Sequence, residues 1–260
     1  MKHLIITAIS ILLSAAIPAN SNKGPFLRDY MRDNNITGTV VIESLQTNKK
    51  FVYDEKRAAV RFTPASTFKI VNTLIALQEK AVNDENEIIK WDGRVSEFAD
   101  WNRDQSIKSA FGVSCVWFYQ ELARRVGNGA YMSYLKRMNY GNQKTGEHID
   151  TFWLDGSLQI SALEQISVLK NIYNEKYGFD KKNYEILKEV MIVDRTGDYI
   201  VRAKTGTAMR VKPVTGWYVG YIETKGDVWF FACNIDMERP EQSKLRKETV
   251  YRALREAGLL

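Results

Sequence analysis

GWYVGYIETKGDVWFFACNID, residues 216–236, reads as two strands joined by a tight turn at Lys225–Gly226. Its aromatic and β-branched residues favour extended backbone, and a glycine-containing break between two such runs is a hairpin signal. One further strand precedes it, DYIVRAKTGT (198–207). The remaining strand candidates lie at the other end of the chain. There GTVVIESL (38–45) and KFVYDE (50–55) flank the turn residues Gln46–Asn48 and predict a second antiparallel hairpin. From about Asp84 to Asp194, β-branched runs are scarce and helical periodicity prevails, as in SAFGVSCVWFYQELARRVG (109–127), NGAYMSYLKRMN (128–139), SALEQISVLKNIYNE (161–175) and KNYEILKEVMI (182–192). A closing helix is expected from about Ser243 to Ala257, stopped by Gly258. The pattern predicts an α+β fold. One antiparallel sheet is built from both chain ends (20–64 and 195–260) and flanked by helices, with a mainly helical subdomain (65–194) inserted and a site in the cleft between.

MKHLIITAISILLSAAIPAN has a basic start, an apolar segment from Leu4 to Ile17 and small residues ending near Ala19, which reads as a signal peptide over 1–19. The segment is short for a membrane span, which takes roughly 20 apolar residues, so the expectation is a secreted or periplasmic protein without a membrane anchor. Removing Lys2 with the signal leaves 36 of the 37 basic residues against 31 acidic ones. That excess is modest and spread out; even KLRKETVYR (244–252) is broken by an acid, so it reads as a solvated helix face and nucleic acid is set aside as a partner. The two histidines are His3, inside the signal, and His148. A Ser-His-Asp triad would rest on His148 alone, with no nucleophile-elbow motif in support, and no short ligand spacing indicates a metal. Cys115 and Cys233 both sit in apolar stretches and read as small buried hydrophobes rather than a disulfide.

The chemistry starts at ASTFKIVNTL (65–74). Apolar residues Phe68, Val71, Leu74, Ile75 and Ala81 recur at helical steps, predicting a helix over Thr67–Val82. Ser66 and Lys69, three apart, then share a face at its first turn. The positive end of the helix dipole and the apolar neighbours Phe68, Ile70 and Val71 disfavour a lysine cation there. A neutral amine beside a hydroxyl is a base beside a nucleophile, and the free N–H groups of a helix start can hold the resulting oxyanion. Lys204-Thr205-Gly206, on a strand, offers a cation and a hydroxyl for a carboxylate, with a glycine that leaves room for substrate.

Taken in order, PASTFK (64–69), KWDG (90–93), WNRD (101–104), Ser114-Cys115-Val116, Tyr140-Gly141-Asn142, DTFWLDGSLQIS (150–161), KTGT (204–207), GWYVGY (216–221) and LRK (245–247) resemble the class D serine β-lactamases, the oxacillinases among the penicillin-recognising serine enzymes. The likeness runs over nearly the whole chain after the signal. It implies a β-lactamase/transpeptidase-like fold and hydrolysis of small-molecule β-lactams, with Ser66 as nucleophile and Lys69 as general base. It further implies a carbamate on Lys69, formed from carbon dioxide, as the sole added group, with Trp153 donating to it and Val116 and Leu154 keeping water sparse. Ser114 corresponds to a proton-shuttling serine and Lys204 to its partner near the leaving nitrogen. Thr205 and Arg246 would hold the substrate carboxylate, and the backbone N–H groups of Ser66 and Thr207 would form the oxyanion hole. Tyr140-Gly141-Asn142 is expected to be a supporting turn. Class A enzymes carry S-D-N where this chain has Ser114-Cys115-Val116, and they use a separate glutamate; Glu164 is read here as a helix-surface residue. Rival readings are a β-lactam sensor that acylates without turnover and a cell-wall D,D-peptidase. The protein is expected to be a monomer or homodimer.

Overall fold

The computed structural model describes residues 25–260; the expected signal peptide, with its expected cleavage near Ala19, lies outside the described residues. In chain order the elements are α1 (Pro25–Asp33), β1 (Gly38–Ser44), β2 (Lys50–Tyr53), α2 (Glu55–Ala58), α3 (Lys69–Gln78), α4 (Ile107–Gly112), α5 (Val116–Val126), α6 (Asn128–Arg137), α7 (Ala162–Tyr173), α8 (Lys181–Val190), β3 (Ile192–Arg195), β4 (Tyr199–Ala208), β5 (Thr215–Thr224), β6 (Val228–Asp236) and α9 (Leu245–Glu256). The six strands form one sheet in the order β2-β1-β6-β5-β4-β3, and every neighbouring pair is antiparallel. The early and late strands meet inside it, where β1 pairs β6 with Val41 opposite Ala232.

The sheet's long apolar runs follow from helices covering both of its faces. Side chains alternate across a strand. Val40, Ile42, Tyr218, Ile222, Phe231, Cys233 and Ile235 face a core shared with Leu27 and Met31 of α1 and Val250, Ala253 and Leu254 of α9. Their neighbours Val41, Trp217, Val219, Tyr221, Phe230 and Ala232 face the larger core made with α3, α5 and α7. Each fully buried residue of this size contributes roughly 1.5–3 kcal/mol of transfer free energy.

Three sequence expectations are corrected. The helix predicted from Thr67 begins as a 3-10 turn, Ala65–Phe68, and becomes α-helical only at Lys69; Ala65, at φ 48°, bends the chain sharply after Pro64. That helix also stops at Gln78, before Val82. The segment 182–192 is not one helix, because α8 ends at Val190 and Ile192 opens the edge strand β3. Cys115 and Cys233, by contrast, are as expected: unpaired and buried, in different cores. Among the described residues no helix is long and apolar enough to cross a membrane.

Candidate active site

The turn carrying Ser66 is held from four sides. Trp217 Nε1 donates to Thr63 O at 2.9 Å, and Ala65 N donates to Trp153 O at 2.9 Å. Gln165 of α7 donates to Thr67 Oγ1 at 3.0 Å, and that hydroxyl donates to Pro64 O at 2.7 Å. The fourth support is β4, which runs so close that a Cβ on Gly206 would lie 2.8 Å from Pro64 O and 3.1 Å from Thr67 N. Only glycine lets the strand approach the turn this closely.

Within this frame Lys69 Nζ lies 2.8 Å from Ser66 Oγ. Ser66 is partly exposed, whereas Lys69 is fully buried. Burial is the main force holding the Lys69 amine well below the ordinary lysine range; repulsion from Lys204 adds to it, and Cys115 opposes it. The Tyr119 ring lies 5.1 Å from Nζ, its hydroxyl tied to Thr73 at 2.9 Å. Trp153, also fully buried, packs on Phe68 with ring centroids 5.8 Å apart, and its indole N–H has no hydrogen-bond partner. A buried donor left unpaired is costly, by about 1–3 kcal/mol, so it marks a place where an acceptor belongs. Lys204, 4% exposed, is brought down to about 7 by burial first and by Arg246 second.

Ser66, Ser114, Val116, Leu154, Thr205, Gly206, Thr207 and Arg246 line one cleft of about 540 Å³. Lys69, Lys204 and Trp153 are buried and are not among its lining residues. Arg246, on α9, is neither free nor solvated: it is half-buried and donates to Thr207 Oγ1 at 2.6 Å and to Gly206 O at 2.8 Å. Its brace is therefore on the two residues after Thr205. The arrangement sets the Ser66 hydroxyl against a buried amine at the cleft, with Arg246 in the cleft wall and a second buried lysine, Lys204, behind it.

The chain matches the family described as penicillin binding protein transpeptidase domain over residues 31–255. It is 37% identical to beta-lactamase OXA-48 of Klebsiella pneumoniae over 264 residues, covering 100% of both chains. It is 43% identical to the probable beta-lactamase YbxI of Bacillus subtilis (strain 168) over 199 residues, 76% of this chain and 74% of the relative. The crystal structure of FUS-1 (OXA-85), a class D beta-lactamase from Fusobacterium nucleatum subsp. polymorphum, superposes with a TM-score of 0.89 at 34% identity, covering 92% of this chain and 100% of that one. The chain belongs to the class D β-lactamases.

The remaining motifs of this class D chain have structural explanations. Asn142 donates through Nδ2 to Ser157 O at 2.8 Å and accepts from Gln159 N at 3.0 Å. Gly141, at φ 51°, lies so near Gln159 that any Cβ would meet its carbonyl. The Tyr140–Asn142 turn thus fixes the far end of the segment that carries Trp153 and Leu154. Glu164 caps α7 by accepting from Ser161 N at 2.9 Å and is ion-paired with Arg61 at 2.5 Å. Asp104 holds the 90–104 loop by accepting from Lys90 Nζ at 2.7 Å and Trp91 N at 3.0 Å.

The class D cleft has further walls that were given no role from the sequence. Ser96, Glu97, Phe98 and Trp101 also line the cleft, as do Met209 and Arg210. Trp101 opens the WNRD segment (101–104), and its Nε1 donates to Val113 O, next to Ser114. Phe98 and Met209 are exposed large hydrophobics, 43% and 63%, in loops without periodicity; the 208–216 loop was legible as a neighbour of the cleft, but neither side chain had a signal of its own. Burial pushes the Cys115 thiol up to about 11, which suits a packing role rather than a reactive one.

Proposed function

We propose that this protein hydrolyses β-lactam antibiotics through an ester on Ser66. The observation that carries the reading is the 2.8 Å contact between Ser66 Oγ and a fully buried Lys69 amine. Removing the hydroxyl proton lets Oγ attack the lactam carbonyl. The carbonyl oxygen takes the negative charge, held by the backbone N–H groups of Ser66 and Thr207. The C–N bond then breaks, and the ring nitrogen receives a proton relayed by Ser114 with Lys204. A lysine with a pKa of about 7 both gives and takes protons near neutrality. Thr205 and Arg246 orient the substrate carboxylate. Water then attacks the Ser66 ester, loses its proton at position 69 and releases the opened product.

The residues around Lys69 fit a carbamate: only an uncharged amine takes up carbon dioxide, and the unpaired Trp153 indole N–H is a donor waiting for an anion. Such a group supplies an anionic oxygen base in a dry pocket. Val116 and Leu154 line the cleft beside it and keep solvent sparse. Export, read from residues 1–19, fits a protein that meets these compounds outside the cytoplasm.

The test is turnover of a chromogenic cephalosporin together with intact-mass spectrometry on a slow penicillin. Wild type should turn over repeatedly and clear its adduct; Lys69→Ala should accumulate any adduct it forms, and Ser66→Ala should form none. One burst without turnover would instead identify a β-lactam sensor or a D,D-peptidase.

A further inference from the structure

Ser114 holds a backbone conformation that side-chain-bearing residues avoid, with φ at 58°. Ser114 lines the cleft, and the tilt of the peptide plane between Val113 and Ser114 helps to set where its side chain points. Both ends of that plane are tied. The Ser114 N–H donates to Phe111 O at 3.3 Å, and the Val113 carbonyl accepts from Trp101 Nε1 at 3.0 Å. Trp101 is itself anchored, because Trp117 Nε1 donates to its carbonyl at 2.8 Å. Trp117 lies in α5, the helix that starts two residues after Ser114. Two indoles therefore close a loop: α5 holds the backbone of Trp101, and the side chain of Trp101 holds the peptide before the α5 corner. The opposite face of the same clasp opens on the cleft, where the Phe98 and Trp101 rings lie 4.4 Å apart.

We propose that the Trp101 indole N–H, backed by Trp117, is a positioning group that keeps Ser114 aimed into the cleft. The inference rests on the reading of Ser114 as a proton relay. Without the pin, the Val113–Ser114 peptide is free to rotate toward the favoured negative φ, which moves the Ser114 side chain from its present place in the cleft. The effect falls on the chemical step, since nothing in the clasp binds the substrate carboxylate.

Trp101→Phe keeps an aromatic ring against Phe98 and deletes only the donor. Its kcat should fall about three- to tenfold, the worth of one neutral hydrogen bond, while KM stays within about twofold. Trp117→Phe should give a fall of the same kind, and the double variant should lose no more than the larger of the two single losses, because both act on one clasp. In a Ser114→Ala background, Trp101→Phe should change nothing further. The same proportional loss with and without Ser114, or a rise in KM at constant kcat, would overturn the proposal and assign the ring to substrate contact or to the fold. If Ser114→Ala alone keeps the full rate, the relay reading fails and takes this inference with it, a result distinct from the other two.

Discussion

Replacing Gly206 with alanine puts a methyl carbon 2.8 Å from the Pro64 carbonyl and 3.1 Å from both Thr67 N and Thr67 Cγ2. Two of these three neighbours are backbone atoms of the turn that carries Ser66, so no flexible side chain can give way. Relief requires β4 and the turn to part by about half an ångström. Overpacking of this kind costs about 1–3 kcal/mol, offset by the 0.4–1 kcal/mol that Gly→Ala gains from a stiffer unfolded chain. The net of about 1–2 kcal/mol lowers Tm by roughly 2–8 °C in a protein of this size. The catalytic cost is of similar size. A misplacement of 1 Å costs about a hundredfold, so half of that predicts about a tenfold loss in kcat/KM. The measurement is hydrolysis of a chromogenic cephalosporin beside a thermal melt, with Gly226→Ala as control, since a Cβ there meets nothing within 4 Å. Wild-type kcat/KM in Gly206→Ala, with a Tm no lower than that of the control, would refute the claim that β4 and the nucleophile turn are in forced contact.

Lys204→Met should flatten the stability profile above neutrality. A lysine brought down to about 7 binds fewer protons folded than unfolded, so wild-type stability rises with pH from about 7 toward the ordinary lysine value; urea melts should show the Met variant's advantage at pH 7 shrinking by pH 9. Trp153→Phe removes an unpaired buried donor but leaves a void in the core; these oppose one another, so Tm should change little, while the bicarbonate needed for half-maximal turnover should rise by about tenfold or more if one charge-assisted bond is lost. Asn142→Ala deletes the bonds to Ser157 and Gln159 and should cost about 2–3 kcal/mol in a denaturant melt. The same variant should turn over more slowly, because the loosened segment carries Trp153 and Leu154.

The central strands were legible because both faces of the sheet are covered. GWYVGYIET and DVWFFACNID are apolar nearly throughout, and the observed bounds, Thr215–Thr224 and Val228–Asp236, fall within one residue of expectation. The closing helix was equally plain from its periodicity and Gly258. Edge strand β3 escaped because IVDR is four residues long and follows α8 with no turn signal between. Helix α1 went unread because PFLRDYMRD is short, and its apolar face becomes meaningful only against α9 and the sheet. At the site, Ser66 and Lys69 announced themselves by spacing. The 3-10 geometry did not, because it arises from Ala65 being pulled onto Trp153, a contact made across the chain. Phe98, Trp101, Met209 and Arg210 meet only when two loops are placed on opposite sides of the cleft.

The pairing of Val41 with Ala232 joins residues about 190 positions apart. A strand in the middle of the sheet therefore waits for nearly the last part of the chain to be made. Such long-range closure is entropically slow and favours late, cooperative completion over stepwise assembly. Until β6 arrives, the hairpin of β1 and β2 presents an open, strongly apolar rim on which another copy could settle. A shortened chain ending before Val228 should accordingly aggregate rather than yield a smaller folded piece, and refolding yield should drop steeply as protein concentration rises.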